Sequence, residues 1–168
     1  MVQAVYNKME NETIENSALA VETLVKFDPD LITFIDEPQS RDQVLQTLTD
    51  LLQKRKKIDN PDQFLQAIKD RESIVSTGIG LGIAIPHAKI DHYKDFFIAV
   101  AIISKKGVDW DSIDQAPVRV VFLIGGPSER QNDYLQILST ITQRIRDDEV
   151  REKLVLSHTP QAVLQQLI

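Results

Sequence analysis

With 168 residues, 42% of them hydrophobic and 26% charged, the chain has the length and composition of one soluble domain able to bury its own core. It contains no cysteine, which excludes disulfides, thiolate metal sites and thiol catalysis and points to a reducing compartment. The net charge of −6 argues against a nucleic-acid partner, because the one dense basic run, Lys54-Arg55-Lys56-Lys57, is placed to close a helix C-terminus.

Residues 1–18 are polar and without period and are expected to form a tail or a loosely attached helix, with the domain proper spanning 19–168. Met1 to Glu10 has neither a basic n-region nor an apolar core, and no run approaches the ~20 apolar residues that span a bilayer. The expectation is a cytoplasmic protein that is not membrane-embedded. Leu19 to Phe27 suits a short helix or an extended arm, and Asp28-Pro29-Asp30 punctuates it. Leu31-Ile32-Thr33-Phe34-Ile35 reads as a strand. Ser40 with Gln43 three residues on is a capping-box signal for a helix whose buried face is Val44, Leu45, Leu48, Leu51 and Leu52. Asn60 as N-cap and Pro61 at N1 open a second helix, striped by Phe64, Leu65 and Ile68, with its end expected near Asp70-Arg71-Glu72.

Ser76 to His87 concentrates the signal of the chain. Gly78, Gly80 and Gly82 fall within five residues, and a short apolar strand, Ile83-Ala84-Ile85, runs into Pro86 and His87. Pro86 fixes its own φ and pushes Ile85 toward extended geometry, so His87 is expected at a strand end. Ala88 to Asp95 reads as a polar connector. Phe96–Ile103 and Val118–Ile124 are almost continuously apolar, as interior strands covered on both faces are. Between them Trp110 is expected to anchor packing, and Gly125-Gly126-Pro127-Ser128 to break the chain after the second strand. Tyr134, Leu135, Ile137, Leu138, Ile141 and Ile145 mark an amphipathic helix to about Arg146, Val150, Leu154 and Val155 a shorter one. Thr159-Pro160 opens the last. The fold class is α/β, a single domain with a central sheet and helices on both faces.

The glycine spacing is neither the dinucleotide fingerprint nor a Walker A loop, and Pro86 forbids the helix that would hold a phosphate. His87 and His92 with Asp91 and Asp95 lack the spacing of a zinc motif, and no serine has a nucleophile-elbow context. No cofactor is expected. On the histidine alone, His87 is either a satisfied, partly buried residue or a nucleophile. As a nucleophile, its neutral imidazole takes a phosphoryl group and passes it on. Such a site needs donors for the phosphoryl oxygens, and Ser76, Thr77, the glycine backbone and Arg71 are at hand.

Arg71-Glu72 followed by Ser76-Thr77-Gly78-Ile79-Gly80-x-Gly82-Ile83-Ala84-Ile85-Pro86-His87-Ala88-Lys89 resembles the active-site signature of the phosphotransferase-system (PTS) EIIA domains of the fructose/mannitol type. That group includes the stand-alone nitrogen-regulatory EIIA proteins, nearest to which the chain is read. The resemblance runs from about Leu24 to Ile168 and takes in Gly107-Val-Asp-Trp and Pro117-Val-Arg-Val-Val-Phe-Leu. It implies a mixed-sheet α/β sandwich in which His87 accepts a phosphoryl group from a phosphorylated HPr-like carrier. The partner after that is an EIIB component or a regulatory target protein.

Carried over residue by residue, the resemblance has Arg71 neutralise charge on the phosphoryl oxygens, against the plain reading of a helix-end residue. Glu72 either orients Arg71 or decorates the surface. Thr77 and Gly78, with Ser76, line the site or simply form a turn. The chain departs from the pattern at Tyr134, which stands where members commonly carry a second histidine. Tyrosine can donate a hydrogen bond to a phosphoryl oxygen but cannot become a cation near neutral pH, and its other reading is packing against the sheet. His92 and His158 match no functional position. Three functions are therefore carried forward: a regulatory phosphocarrier, a sugar-uptake EIIA working with a separate permease, and a binding module without phosphoryl transfer.

Overall fold

The computed structural model describes residues 27–38 and 40–168, so the expected tail 1–18 and all of the following arm except Phe27 lie outside the described residues. Asp28 caps a single 3-10 turn, Pro29–Leu31, by accepting the Asp30 N–H at 2.8 Å. Leu31, expected to open the first strand, instead closes this turn, and β1 runs Ile32–Ile35. Ser40 Oγ accepts the Gln43 N–H at 3.1 Å and starts α1, Arg41–Lys54. Its buried stripe is Val44, Leu45, Leu48, Thr49 and Leu52, with Thr49 in place of the expected Leu51 because its hydroxyl is satisfied by Leu45 O at 2.8 Å.

Asn60 Oδ1 accepts the Gln63 N–H at 3.1 Å and starts α2, Pro61–Ile74. The helix extends past the expected end to Ile74, since no glycine or proline occurs between Glu72 and Gly78 to stop it. It stops where Val75 turns extended, and Arg71 donates to the Val75 carbonyl at 2.9 Å. Arg71 and Glu72 thus sit inside the last turn rather than at the helix end.

The remaining strands are β2 (Gly78–Gly80), β3 (Ile83–Ala84), β4 (His87–Lys89), β5 (Phe97–Ile103) and β6 (Val120–Gly126), followed by α3 (Gln131–Ile145), α4 (Asp148–Val155) and α5 (Pro160–Leu167). Among the described residues the strands form one mixed sheet in the order β1-β5-β6-β3-β2, with β4 also on β6. β1 is parallel to β5, β5 antiparallel to β6, and β3 and β4 both parallel to β6. The glycine-stepped stretch is therefore a hairpin, β2–β3, turned by Leu81 (φ 58°) and Gly82 (φ 75°). Positive φ at both central residues is what a tight two-residue hairpin demands.

Every residue of β5 and β6 is buried, and alternate side chains feed two cores. Leu45, Leu48, Phe64 and Ile68 of α1 and α2 meet Ala84, Phe97, Ala99, Val121 and Leu123 on one face. Ile137, Ile141, Leu154 and Val163 of α3 to α5 meet Ile83, Ile98, Val100, Phe122 and Ile124 on the other.

The two differences at the site end of the sheet have one cause. The expected connector 88–95 begins as strand β4, and Gly125-Gly126, expected to break the chain, continue β6, because His87 to Lys89 pair with Ile124 to Gly126. A Cβ at Gly125 would lie 2.3 Å from the Phe97 ring and 3.0 Å from Phe64, and one at Gly126 2.2 Å from Phe96. The glycines make room for aromatic rings under the strand that carries His87. Gly125→Ala is expected to destabilise the protein by about 1–3 kcal/mol, as overpacking a filled core does. Urea denaturation checks this, and an unchanged midpoint would mean the rings have room to move.

Candidate functional site

His87 is placed by an interruption in a strand. The chain runs along β6 at Ile83 and Ala84, leaves it at Ile85-Pro86, and rejoins it at His87. Proline offers no N–H, the Ile85 N–H turns to Thr77 O at 3.0 Å, and Pro86 O accepts the Ile124 N–H at 3.0 Å. The Ile85 carbonyl is left facing the ring two residues on, 3.2 Å from His87 Nδ1. On the other side Arg71 Nε lies 3.2 Å from His87 Nε2.

These partners assign the tautomer by their chemistry. A carbonyl oxygen only accepts and a guanidinium only donates, so Nδ1 carries the proton and Nε2 presents its lone pair. Burial lowers the His87 pKa below the ordinary imidazole value, and the Arg71 and Lys89 cations add to this. The ring is neutral at pH 7 and its unprotonated nitrogen is turned toward a fixed positive charge.

Neighbouring residues at the end of α2 face different ways. Arg71 spans His87 and the Val75 carbonyl, whereas Glu72, 4% exposed, turns inward. Its carboxylate accepts the Thr77 N–H at 3.1 Å, the Thr77 hydroxyl at 2.6 and 2.8 Å, and the Trp110 indole N–H. Glu72 is thus spent on Thr77 and Trp110, rather than on orienting Arg71 or decorating the surface. Ser76 Oγ donates to Trp110 O at 2.6 Å and accepts the Gly78 N–H at 3.1 Å. The Ser76 and Thr77 hydroxyls and the Gly78 amide, expected as donors to phosphoryl oxygens, are engaged in tying the hairpin to α2 and to the 110 segment. Gly78 is required by Ser112, whose Oγ would lie 2.2 Å from a Cβ there. Trp110, 1% exposed, is more than the expected packing anchor, since it is one of three donors on a buried carboxylate.

The first turn of α3 brings Tyr134 to the other side of His87, with ring centroids 5.1 Å apart. Its hydroxyl is buried with no hydrogen-bond partner, and burial pushes its pKa up to about 12. Lys89, which entered the sequence reading only as the last residue of the signature, holds Nζ 4.5 Å from the Tyr134 ring centroid and donates to Gln131 Oε1. The signal for it was the period of a strand: Lys89 is two residues from His87 and on the same face. His92 lies away from this cluster, paired with Asp59 at 3.1 Å. No cluster of ligating side chains that could hold a metal occurs among the described residues, and none of their helices is long and apolar enough to cross a membrane.

Residues 26–168 match the family model described as "Phosphoenolpyruvate-dependent sugar phosphotransferase system, EIIA 2". The chain is 35% identical over 134 residues to the PTS system fructose-specific EIIA component of Haloferax volcanii, covering 80% of this chain and 86% of that protein. Its fold is that of the nitrogen regulatory protein IIA-Ntr from Neisseria meningitidis, with a TM-score of 0.77, 23% identity, and 88% of this chain and 99% of that one covered. It is also that of enzyme IIAMtl from Escherichia coli, solved in complex with phosphorylated enzyme IIBMtl, with a TM-score of 0.72, 20% identity, and 86% and 98% covered.

The lowered pKa has a measurable consequence. Followed by NMR, the His87 ring is expected to titrate below the ordinary value of about 6.5, so the neutral form predominates at pH 7 and is lost as pH falls through the midpoint. A midpoint at or above 6.5 would contradict the buried, cation-flanked environment.

Proposed function

The chain belongs to the EIIA 2 family of the phosphoenolpyruvate-dependent sugar phosphotransferase system, and on that premise we propose that it is a phosphocarrier whose nucleophile is His87 Nε2. The observation that carries the reading is the ring held between Ile85 O and Arg71 Nε–H, neutral and with the Nε2 lone pair directed at the guanidinium. The donor is a phosphorylated HPr-like carrier. As Nε2 forms its bond to phosphorus, the bond to the donor's ring nitrogen breaks and that nitrogen keeps the electron pair. His87 retains its Nδ1 proton on Ile85 O, so the ring becomes cationic while the phosphoryl oxygens carry the negative charge. A cationic ring is a good leaving group, and the group passes onward readily. Arg71 stands where charge builds on those oxygens.

Exposed apolar residues around the site support a protein, rather than a small molecule, on either side of the transfer. Ile74 is 78% exposed just beyond Arg71, and Val75 next to it is 61% exposed. Leu81 holds φ 58°, a conformation costly for a branched side chain, with its N–H fixed by Asp114 at 2.9 Å. This strained, exposed leucine marks the hairpin turn, at the end of β3 away from His87.

Where the group goes next has two readings. In the regulatory one, the phosphorylation state of His87 selects a target protein, as befits a fold shared with IIA-Ntr. The sugar-uptake reading, in which an EIIB component takes the group, is favoured by the 35% identity to a fructose-specific EIIA component. Mixing the phosphorylated chain with EIIB components separates them, since rapid loss of label to EIIB is the uptake outcome.

Incubation with phosphorylated HPr-like carrier is expected to give acid-labile, base-stable label that is absent in His87→Ala. Arg71→Ala should slow uptake by about 10²–10³-fold with the fold retained, the usual effect of removing one transition-state donor. Label that survives His87→Ala would overturn the assignment, and absence of label on the wild-type chain would leave it a binding module.

A further inference from the structure

His87 and Lys89 lie on one face of β4, with buried Ala88 between them on the other. Both meet Tyr134, the imidazole at 5.1 Å between centroids and the ammonium 4.5 Å from the ring centroid. Gln131 Oε1, at the start of the same helix, accepts from Lys89 Nζ and fixes it there. The Tyr134 hydroxyl, on a side chain 5% exposed, has no partner. A buried hydroxyl left unpaired is costly unless a ligand later supplies an acceptor. Arg71, the other cation of the site, divides its donors between His87 and Val75 O, so it leaves room for a second positive charge once a dianionic phosphoryl group arrives.

We propose that Lys89 and Tyr134 form the second half of the phosphoryl cradle: the Tyr134 O–H donates to a phosphoryl oxygen on His87, and the Lys89 ammonium balances the charge that Arg71 does not. Burial, with Arg71 nearby, already lowers the Lys89 pKa, and a dianion beside it relieves that penalty. The position that in resembling proteins commonly holds a second histidine is thus filled by a neutral donor, and Lys89 on β4 supplies the cation. Charge supplied by a lysine amine persists across the pH range in which an imidazolium would be lost. This inference rests on phosphorylation of His87 and adds the groups that keep the product stable.

The test uses Lys89→Met, Lys89→Arg and Tyr134→Phe in the full chain, phosphorylated by HPr-like carrier. The quantities read are the equilibrium distribution of label between carrier and chain and the thermal midpoint of the unphosphorylated protein. Lys89→Met and Tyr134→Phe are each expected to shift the distribution toward the carrier by about tenfold, the loss of one charge-assisted contact. Lys89→Arg should retain most of the wild-type value. Thermal midpoints should not fall, and Tyr134→Phe should melt no lower than wild type because it removes an unpaired hydroxyl. Wild-type distributions in both Lys89→Met and Tyr134→Phe overturn the proposal. So does a shift in Lys89→Met that Lys89→Arg does not restore and that accompanies a lowered melting point, since the lysine is then structural. Failure of the underlying reading looks different, because the wild-type chain itself would then take no label.

Discussion

An imidazole held between an acceptor and a donor is the interaction on which the account of this molecule depends. Ile85 O accepts the Nδ1–H and Arg71 Nε–H donates to Nε2, each at 3.2 Å. Neither contact is strong alone, but together they specify one tautomer, one ring orientation and one nitrogen that carries the lone pair. Burial and two nearby cations then keep the ring neutral. A charged histidine would have no lone pair to offer, so pKa and geometry point the same way.

Both partners come from breaks in regular structure. Ile85 O is available because Pro86 interrupts the strand between β3 and β4, and Arg71 reaches the ring from the last turn of a helix that ends at Ile74. The end of α2 is in turn fixed to the hairpin by Glu72, whose buried carboxylate gathers Thr77 and Trp110. The network is fully buried and its acceptor is surrounded by donors, so it holds one arrangement of the site well. Beneath β4, Gly125 and Gly126 let β6 continue over the rings of Phe97 and Phe96 and carry the pairing that seats His87.

Much of this was legible in the sequence because local chemistry dictated it. The Ser40, Asn60 and Thr159 caps, the two apolar strands, and the proline before His87 each carry their own signal and lie where that signal places them. The misreadings came where a distant partner decides. Gly125-Gly126 reads as a chain break until His87 to Lys89 pair with it, and 88–95 reads as a connector until the same pairing is known. Glu72 beside Arg71 invites an ion pair, but helix geometry turns the two side chains to different neighbours, and only the approach of Trp110 from 38 residues away gives the carboxylate its role. Lys89 was hidden for the same reason. Its significance comes from Tyr134, and nothing in the local sequence links them.

The central claim is that Nε2 of His87 is the nitrogen that bonds to phosphorus. NMR of the phosphorylated protein, with 15N-labelled histidine and phosphorus coupling, reads this directly. The account predicts phosphorus on Nε2 with Nδ1 still protonated or hydrogen-bonded to Ile85 O; phosphorus on Nδ1 of His87, or on any other residue, would contradict it.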